Sequence, residues 1–372
     1  MSRVFLFQRR LFSAMSASSA PISSPFTRAV VSSMKKLYPE SLADKSFDNT
    51  GLLLEAPFNH ARRQRNSVLL AIDLTKAVAD EAIARRDSVV VAYHPIIFRG
   101  LKSLTLRDTQ QQSLLRLAAE GISVYSPHTA VDATPGGMGD WLCDIVTGAI
   151  VSQPGTATPK ITPSSSDSYS APTYPQPGAV SSSPSATIAH VRTTIHPSPQ
   201  PVPDGLEDAG MGRLVTFDEP QSLTTIIDNI GRGVGSPAGI PIAIPQSASV
   251  DTIKIRTVGV CPGSGSSILL KGIPQIPDLL FTGEMSHHET LFAIENGSVV
   301  VALAHSNTER GYLRAVMKEK LQGVLQEEWE NARREGTEGS TQEPKGIYED
   351  AEVEVHVSEK DRDPFGIMVR TS

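Results

Sequence analysis

The sequence is poor in cysteine. Only Cys143 and Cys261 occur among 372 residues, and they form no CxxC pair. That excludes a disulfide scaffold and a thiolate zinc site, and it fits a reducing compartment. A basic excess is missing too. The formal net charge of −6 disfavours nucleic acid as a bulk electrostatic partner, so no direct nucleic-acid binding is expected. No run approaches the roughly 20 apolar residues of a membrane span. The hydrophobic share, 39%, is low for a compact chain long enough for two ordinary domains. Part of the chain should therefore contribute nothing to a core.

Two stretches stand out by composition. No acidic residue precedes Glu40, whereas Arg3, Arg9, Arg10, Arg28, Lys35 and Lys36 do. Phe5, Leu6, Phe7, Leu11 and Phe12 lie among the first arginines, and serines follow. Such an amphipathic, acid-free leader reads as a mitochondrial transit peptide over residues 1–26. The alternative is a disordered tail on a cytoplasmic and nuclear protein. Residues 152–210 are dense in Ser, Thr and Pro. They bury too little apolar surface to offset ordering entropy and read as a disordered insert.

On either side, apolar strands alternate with helical spacing. Residues 27–151 hold SVLLAIDLT, SVVVAYHP and ISVYSPHT, with helices between them. Residues 211–330 hold GRLVTF, TIKIRTVGV, DLLFTGE and SVVVALAH in the same alternation. This pattern predicts an α/β fold of two lobes, with parallel strands and helices on their faces. Residues 331–348 are charged and read as a linker. In 349–372, AEVEVHVSEK alternates Val with polar residues, as an exposed-face strand does.

Polar residues recur where apolar strands end: His94, His128 with Asp132 four residues on, Glu284, and His305 with Glu309 four residues on. The carboxyl ends of parallel strands open into the ligand crevice of such folds, so these side chains can converge. Imidazole with carboxylate suits Zn, Fe, Mn, Co or Ni better than Mg or Ca. Ser306-x-x-Glu309 also fits a capping box, a competing use for the glutamate. Ser286-His287-His288-Glu289 poses the same choice. Capping is expected for Ser286 and Glu289, and a crevice-lining place for the two histidines. Cys261-Pro262-Gly263-Ser264-Gly265 reads as a tight strand–helix turn, or more weakly as an anion cradle.

Taken together, FDNTGLLLE, VVAYHPIIFRGLKSLT, ISVYSPHTAVDATPGGMGDWL, GSGSS, FTGEMSHHE and HSNTERGYL resemble the NIF-three-like family, also called GTP cyclohydrolase I type 2. They stand in the family's order between residue 28 and about residue 320, and DRDPF resembles its C-terminal strand. The resemblance implies a two-lobed fold with mixed, mostly parallel sheets, and a homo-oligomer between dimer and hexamer. It implies a centre for one or two divalent transition-metal ions, with His94, Asp132, His305 and Glu309 as ligands. Tyr93 stands where the family carries a further histidine ligand. His128, His287 and Glu284 are then the candidates for proton transfer. The implied function is a metal-dependent, cyclohydrolase-like hydrolase acting on a nucleotide or phosphoester-like small molecule. The alternative is a non-catalytic regulatory protein with a protein partner, a transcription co-regulator, and a degenerate dinuclear site.

Overall fold

The computed structural model describes residues 22–59, 63–152, 170–177, 180–182, 187–338 and 345–370. Most of the leader, and residues 153–169 of the expected insert, lie outside the described residues. The first element is α1 (Pro25–Leu37), with Pro at its start, Lys35 and Lys36 in its last turn, and a buried face of Phe26, Ala29, Val30 and Met34. Each feature is what a helix in that register needs.

The first lobe continues with β1 (Gly51–Leu54), β2 (Ser67–Ala71), α2 (Lys76–Arg85), β3 (Val89–Ala92), α3 (Thr109–Glu120) and β4 (Ser123–Ser126). Side chains of Thr75 and Asp108 cap α2 and α3, and Gly121 ends α3 in the left-handed conformation. Next come α4 (Thr129–Ala133), α5 (Met138–Val146), and a short pair, β5 (Ile150–Ser152) with β6 (Val180–Ser182). The second lobe comprises β7 (His190–Pro197), β8 (Gly210–Ser222), α6 (Leu223–Gly233), β9 (Ile242–Ala243), β10 (Lys254–Ser264), α7 (Ser266–Leu270), β11 (Leu279–Glu284), α8 (His287–Glu295) and β12 (Val299–Ala302). A 3₁₀ turn (His305–Thr308) leads into α9 (Arg310–Tyr312), a π-helical turn (Leu313–Met317) and α10 (Lys318–Glu338). The last strand, β13 (Glu354–Val357), returns to the first lobe.

The first sheet has the order β1-β4-β3-β2-β13, parallel throughout except for β1. The second has the order β7-β8-β10-β11-β12-β9, where β10, β11 and β12 are parallel and the flanking strands antiparallel. β2 and β3 are buried along their whole length. That is why their sequences run apolar instead of alternating. One core joins the sheets: Val68, Leu70 and Val91 of the first belong to the same buried cluster as Val258, Phe281 and Val301 of the second, together with Trp141 and Tyr312. No helix among the described residues is long and apolar enough to cross a membrane.

Three sequence boundaries need correction. Phe26 is 2% exposed and packs edge-on against Trp329 at 5.3 Å, and α1 starts at Pro25, so the first folded helix begins just inside the span read as a leader. Residues 190–197 form β7, paired with β8, so the unstructured reading of 152–210 fails there. The short β-branched run HVRTTIH was hidden in the Ser/Pro average of its neighbours. The expected linker at 331–348 is helical to Glu338, and Ile347 and Tyr348 are buried. Its charges occupy an exposed helix face, while Tyr348 stacks on Trp329 at 6.0 Å.

Candidate metal centre

The tips of β3 and β12 build the site. Beyond β3, Tyr93 and His94 keep backbone hydrogen bonds to Ala71 and Ile72 at 2.8 and 3.0 Å, and Pro95 then ends the pairing. Beyond β12, Ala304 turns the chain with φ +67° and ψ 154°, a region costly for any residue with a Cβ. The 3₁₀ turn that follows places His305 and Glu309 on one side.

One ligand atom each from His94, His305 and Glu309 lie within 4.8 Å of one another. His94 Nε2 is 3.4 Å from Glu309 Oε2, and His305 Nε2 is 3.5 Å from Glu309 Oε1. Glu309 is 1% exposed. Even so, its Oε2 and His94 Nε2 are buried without a hydrogen-bond partner among the described residues. A buried polar atom left unpaired costs about 1–3 kcal/mol. Two such atoms facing one another are the arrangement a cation relieves, and the donor set of two imidazoles and a carboxylate suits a transition metal.

The outer ring nitrogens are held. His94 Nδ1 donates to Asp73 Oδ1 at 2.9 Å, and His305 Nδ1 to Glu284 Oε2 at 3.1 Å. This fixes both tautomers and leaves Nε2 of each ring for the centre. The GSGSS segment is a turn that packs directly on the cluster. Gly263 has φ +58°, and a Cβ there would sit 2.7 Å from Glu309 Oε1 and 2.8 Å from His305 Nε2.

Asp132, on α4, stands outside the tight triad. It is 6% exposed, and its Oδ1 accepts a 2.7 Å hydrogen bond from Tyr93 Oη. Burial pushes its carboxyl up to about 6, against the downward pull of His128 and Tyr93. Burial, then the Asp132 and Glu309 charges, drive the Tyr93 phenol well above its ordinary value, so it stays a neutral donor. Burial alone would lower His94, but Glu309 and Asp73 overcome it and raise the imidazole to about 10.

His128 lies beside the triad, its ring 5.5 Å from that of His94 and 5.4 Å from Tyr93. Asp48 holds its Nδ1 at 2.6 Å, and its backbone has φ +33°. Glu284 touches the centre only through His305. His287 and His288 are exposed, face each other at 5.2 Å, and make no hydrogen bond or ion pair with the triad. The capping box of Ser286 and Glu289 forms as expected. The competing box at Ser306 does not: Ser306 Oγ donates to Asp363 and leaves Glu309 to the histidines.

Sequence reasoning missed Asp73 and Asp48. Asp73 closes SVLLAID, a strand tip like the others, so the rule that found His94 also applied to it. Asp48 lies within FDNTGLLLE, ahead of its strand and not at a strand tip. Asp361 and Asp363 lie in DRDPF and Arg310 in HSNTERGYL, stretches that carry the family resemblance, but no local pattern shows that they surround the same turn.

The profile of the family described as Duf34/NIF3 (NGG1p interacting factor 3) matches residues 27–335. A Schizosaccharomyces pombe protein named Protein NIF3 homolog is 39% identical over 312 residues, covering 84% of this chain and 93% of that one. The Saccharomyces cerevisiae protein NGG1-interacting factor 3 is 37% identical, over 80% of this chain and 90% of its own. Human NIF3-like protein 1 is 30% identical over 92% of each. Among solved structures, a Bacillus cereus protein related to NIF3 shares the fold with a TM-score of 0.58 and 21% identity, covering 91% of this chain and 98% of that one. On the profile match and the fungal relatives, the chain belongs to the Duf34/NIF3 family.

Proposed function

We propose that the chain is a metal-dependent hydrolase acting on a nucleotide or phosphoester-like small molecule, with His94, His305 and Glu309 as its metal ligands and Asp132 completing the set. The single observation that carries this is the buried, unpartnered couple of His94 Nε2 and Glu309 Oε2. When bound, a divalent Zn, Fe, Mn, Co or Ni ion supplies Lewis-acid polarisation and a lowered water pKa. Asp73 and Glu284 hold the two imidazoles in the ligating tautomer. His128 is the side chain placed to move a proton, braced by Asp48 and adjacent to the triad. Exposed Phe47 and Phe98 flank His128 at 6.5 and 6.4 Å and offer an apolar wall to a substrate. Elemental analysis of the purified chain should find stoichiometric transition metal, lost in His94→Ala and Glu309→Gln. Depletion of one metabolite from a cell-extract pool by wild type alone then identifies turnover. Metal-free wild-type protein, or variants that keep their metal, refutes the assignment.

A second reading is a metal-binding regulatory protein without turnover. Tyr93 favours it: the phenol is fully buried, neutral and committed to Asp132, so a second ion lacks the imidazole expected there. The yeast relative's name, NGG1-interacting factor 3, points in the same direction for that protein. Tyr93→His decides between them. A second ion together with newly acquired hydrolysis supports the regulatory reading; turnover by wild type defeats it. Mitochondrial import and homo-oligomer formation belong to the same proposal. Imaging of a leader fusion and light scattering of the purified chain test them.

A further inference from the structure

The chain beyond β13 meets the centre from behind. Val357 is the last residue of β13 paired to β2, and Ser358 N still bonds Leu70 O at 2.8 Å. The continuation of β2, Ile72–Asp73, then meets a side chain instead of a strand. The Asp361 carboxylate accepts Ile72 N at 2.6 Å and Asp73 N at 3.3 Å. The other face of this link serves His94: Ile72 O accepts His94 N at 3.0 Å, and Asp73 Oδ1 takes His94 Nδ1 at 2.9 Å. Ile72–Asp73 is thus clamped between Asp361 and a candidate ligand.

Two residues on, Asp363 does the same for the other lobe. Its Oδ2 accepts Ser306 N at 3.0 Å and Ser306 Oγ at 2.7 Å, and its Oδ1 accepts Phe365 N at 2.8 Å. Ser306 directly follows His305. Arg310 closes the circuit: it pairs with Asp361, donates to Ser306 Oγ at 2.7 Å and stands 3.7 Å from Asp73. Asp363, Ser306 and the Asp361 side chain are each no more than 3% exposed. Burying two carboxylates is costly unless each is well bonded. Here every described bond but one runs to a backbone or side chain that positions the triad.

We propose that Asp361 and Asp363 are positioning residues of the metal centre, and that metal binding and docking of residues 358–365 stabilise each other. The proposal rests on the metal reading above. The segment lies past residue 335, where the profile match ends, and carries the DRDPF that resembles the family's C-terminal strand. A mere anchor for the C-terminus would stabilise the fold without touching metal affinity. The coupled arrangement predicts both effects, because linkage between two binding events is reciprocal.

The test uses the full chain with Zn²⁺ and Co²⁺ as probes. Asp361→Asn and Asp363→Asn should weaken Zn²⁺ binding ten- to hundredfold, the usual cost of removing outer-shell support, and should shift the visible Co²⁺ spectrum. Glu81→Gln is the control. Glu81 holds Ser358 and the Glu359 backbone of the same tail but makes no bond to the Ile72–Asp73 link or to Ser306. This variant loosens the near end of the tail without touching either link, so it should lower the melting temperature and cost Zn²⁺ affinity clearly less than either Asp variant. Should the Asp variants fail to fold, Ser306→Ala removes one Asp363 bond and should shift affinity a few-fold in the same direction. Zn²⁺ should also slow hydrogen exchange across 358–365 in wild type. Wild-type affinity in the Asp variants, or losses no larger than in Glu81→Gln, overturns the proposal. Absence of Zn²⁺ and Co²⁺ binding by wild type instead sinks the metal reading, and this one with it.

Discussion

Replacing Gly263 with alanine perturbs the centre without altering any candidate ligand. Two effects add. The backbone at φ +58° is left-handed, which costs a residue bearing a Cβ about 1–2 kcal/mol. The new Cβ would also sit 2.7 Å from Glu309 Oε1 and 2.8 Å from His305 Nε2. Ordinary contact begins near 3.4 Å, so these atoms must retreat by about 0.6–0.7 Å. Metal sites tolerate about 0.2 Å, so Zn²⁺ affinity should fall at least tenfold, roughly 1.4 kcal/mol. Gly121→Ala is the matched control: it is also left-handed, at φ +81°, but nothing lies within 4 Å of its Cβ. Competition with a chromophoric chelator gives the affinities, and thermal unfolding without metal gives the stabilities. Both variants should lose stability, and only Gly263→Ala should lose metal. Wild-type affinity in Gly263→Ala would mean that Glu309 and His305 do not hold the ion from the side that the turn faces.

Three further perturbations read other parts of the argument. Trp329→Ala removes a fully buried ring packed on Phe26 and Tyr348, and chemical denaturation should show a loss of about 3–5 kcal/mol. Burial pushes Asp140 up, but Arg213, Gly136 and Arg192 outweigh it and hold its carboxyl below the ordinary range. A carboxylate lowered by folding adds stability above its unfolded pKa of about 3.9 and loses it as pH falls through the folded value. Asp140→Asn should therefore be less stable than wild type from about pH 5 upward and converge with it near pH 2–3 in urea melts; a constant gap across that range refutes the assignment. Ala304→Gly should relieve the strain at φ +67° by about 1 kcal/mol net of added chain entropy, visible as a raised melting temperature, and an unchanged or lowered value refutes it.

Much of this was legible because the tips of buried parallel strands obey one rule. SVVVAYH and SVVVALAH end in histidines for the same topological reason, and the fold brings those histidines to a ring separation of 5.2 Å. Spacing alone left Glu309 undecided between capping and ligation. Asp363, 57 residues beyond Ser306, decides it by taking that serine, and no local pattern carries that information. His287 misled for the opposite reason. A histidine after a strand tip was expected to line the crevice, but the helix that Ser286 caps turns it to solvent. β7 escaped because a short strand at a sheet edge needs few apolar residues, and its Ser- and Pro-rich surroundings dominated the composition.

Backbone strain is not spread evenly over the described residues. Among the described residues, four non-glycine residues have positive φ. Arg86 ends a helix in the ordinary left-handed cap, and Ser236 follows a helix and bonds back to Gly231. The other two, His128 with ψ −120° and Ala304 with ψ 154°, lie outside any favoured well for a residue with a side chain. Both stand at the triad, where His94 Nε2 and Glu309 Oε2 are two of several buried polar atoms without a hydrogen-bond partner, others being Arg85 Nη2 and Trp141 Nε1 away from the site. Each such departure costs on the order of 1–3 kcal/mol, against a total stability of only about 5–15 kcal/mol. Packing does not account for the concentration, since the neighbouring core is apolar, fully buried and built from ordinary strands. A ligand that binds only the folded state does account for it: its binding free energy is added to folding, and a cation held between two imidazoles and a carboxylate removes the unpaired atoms at the same time.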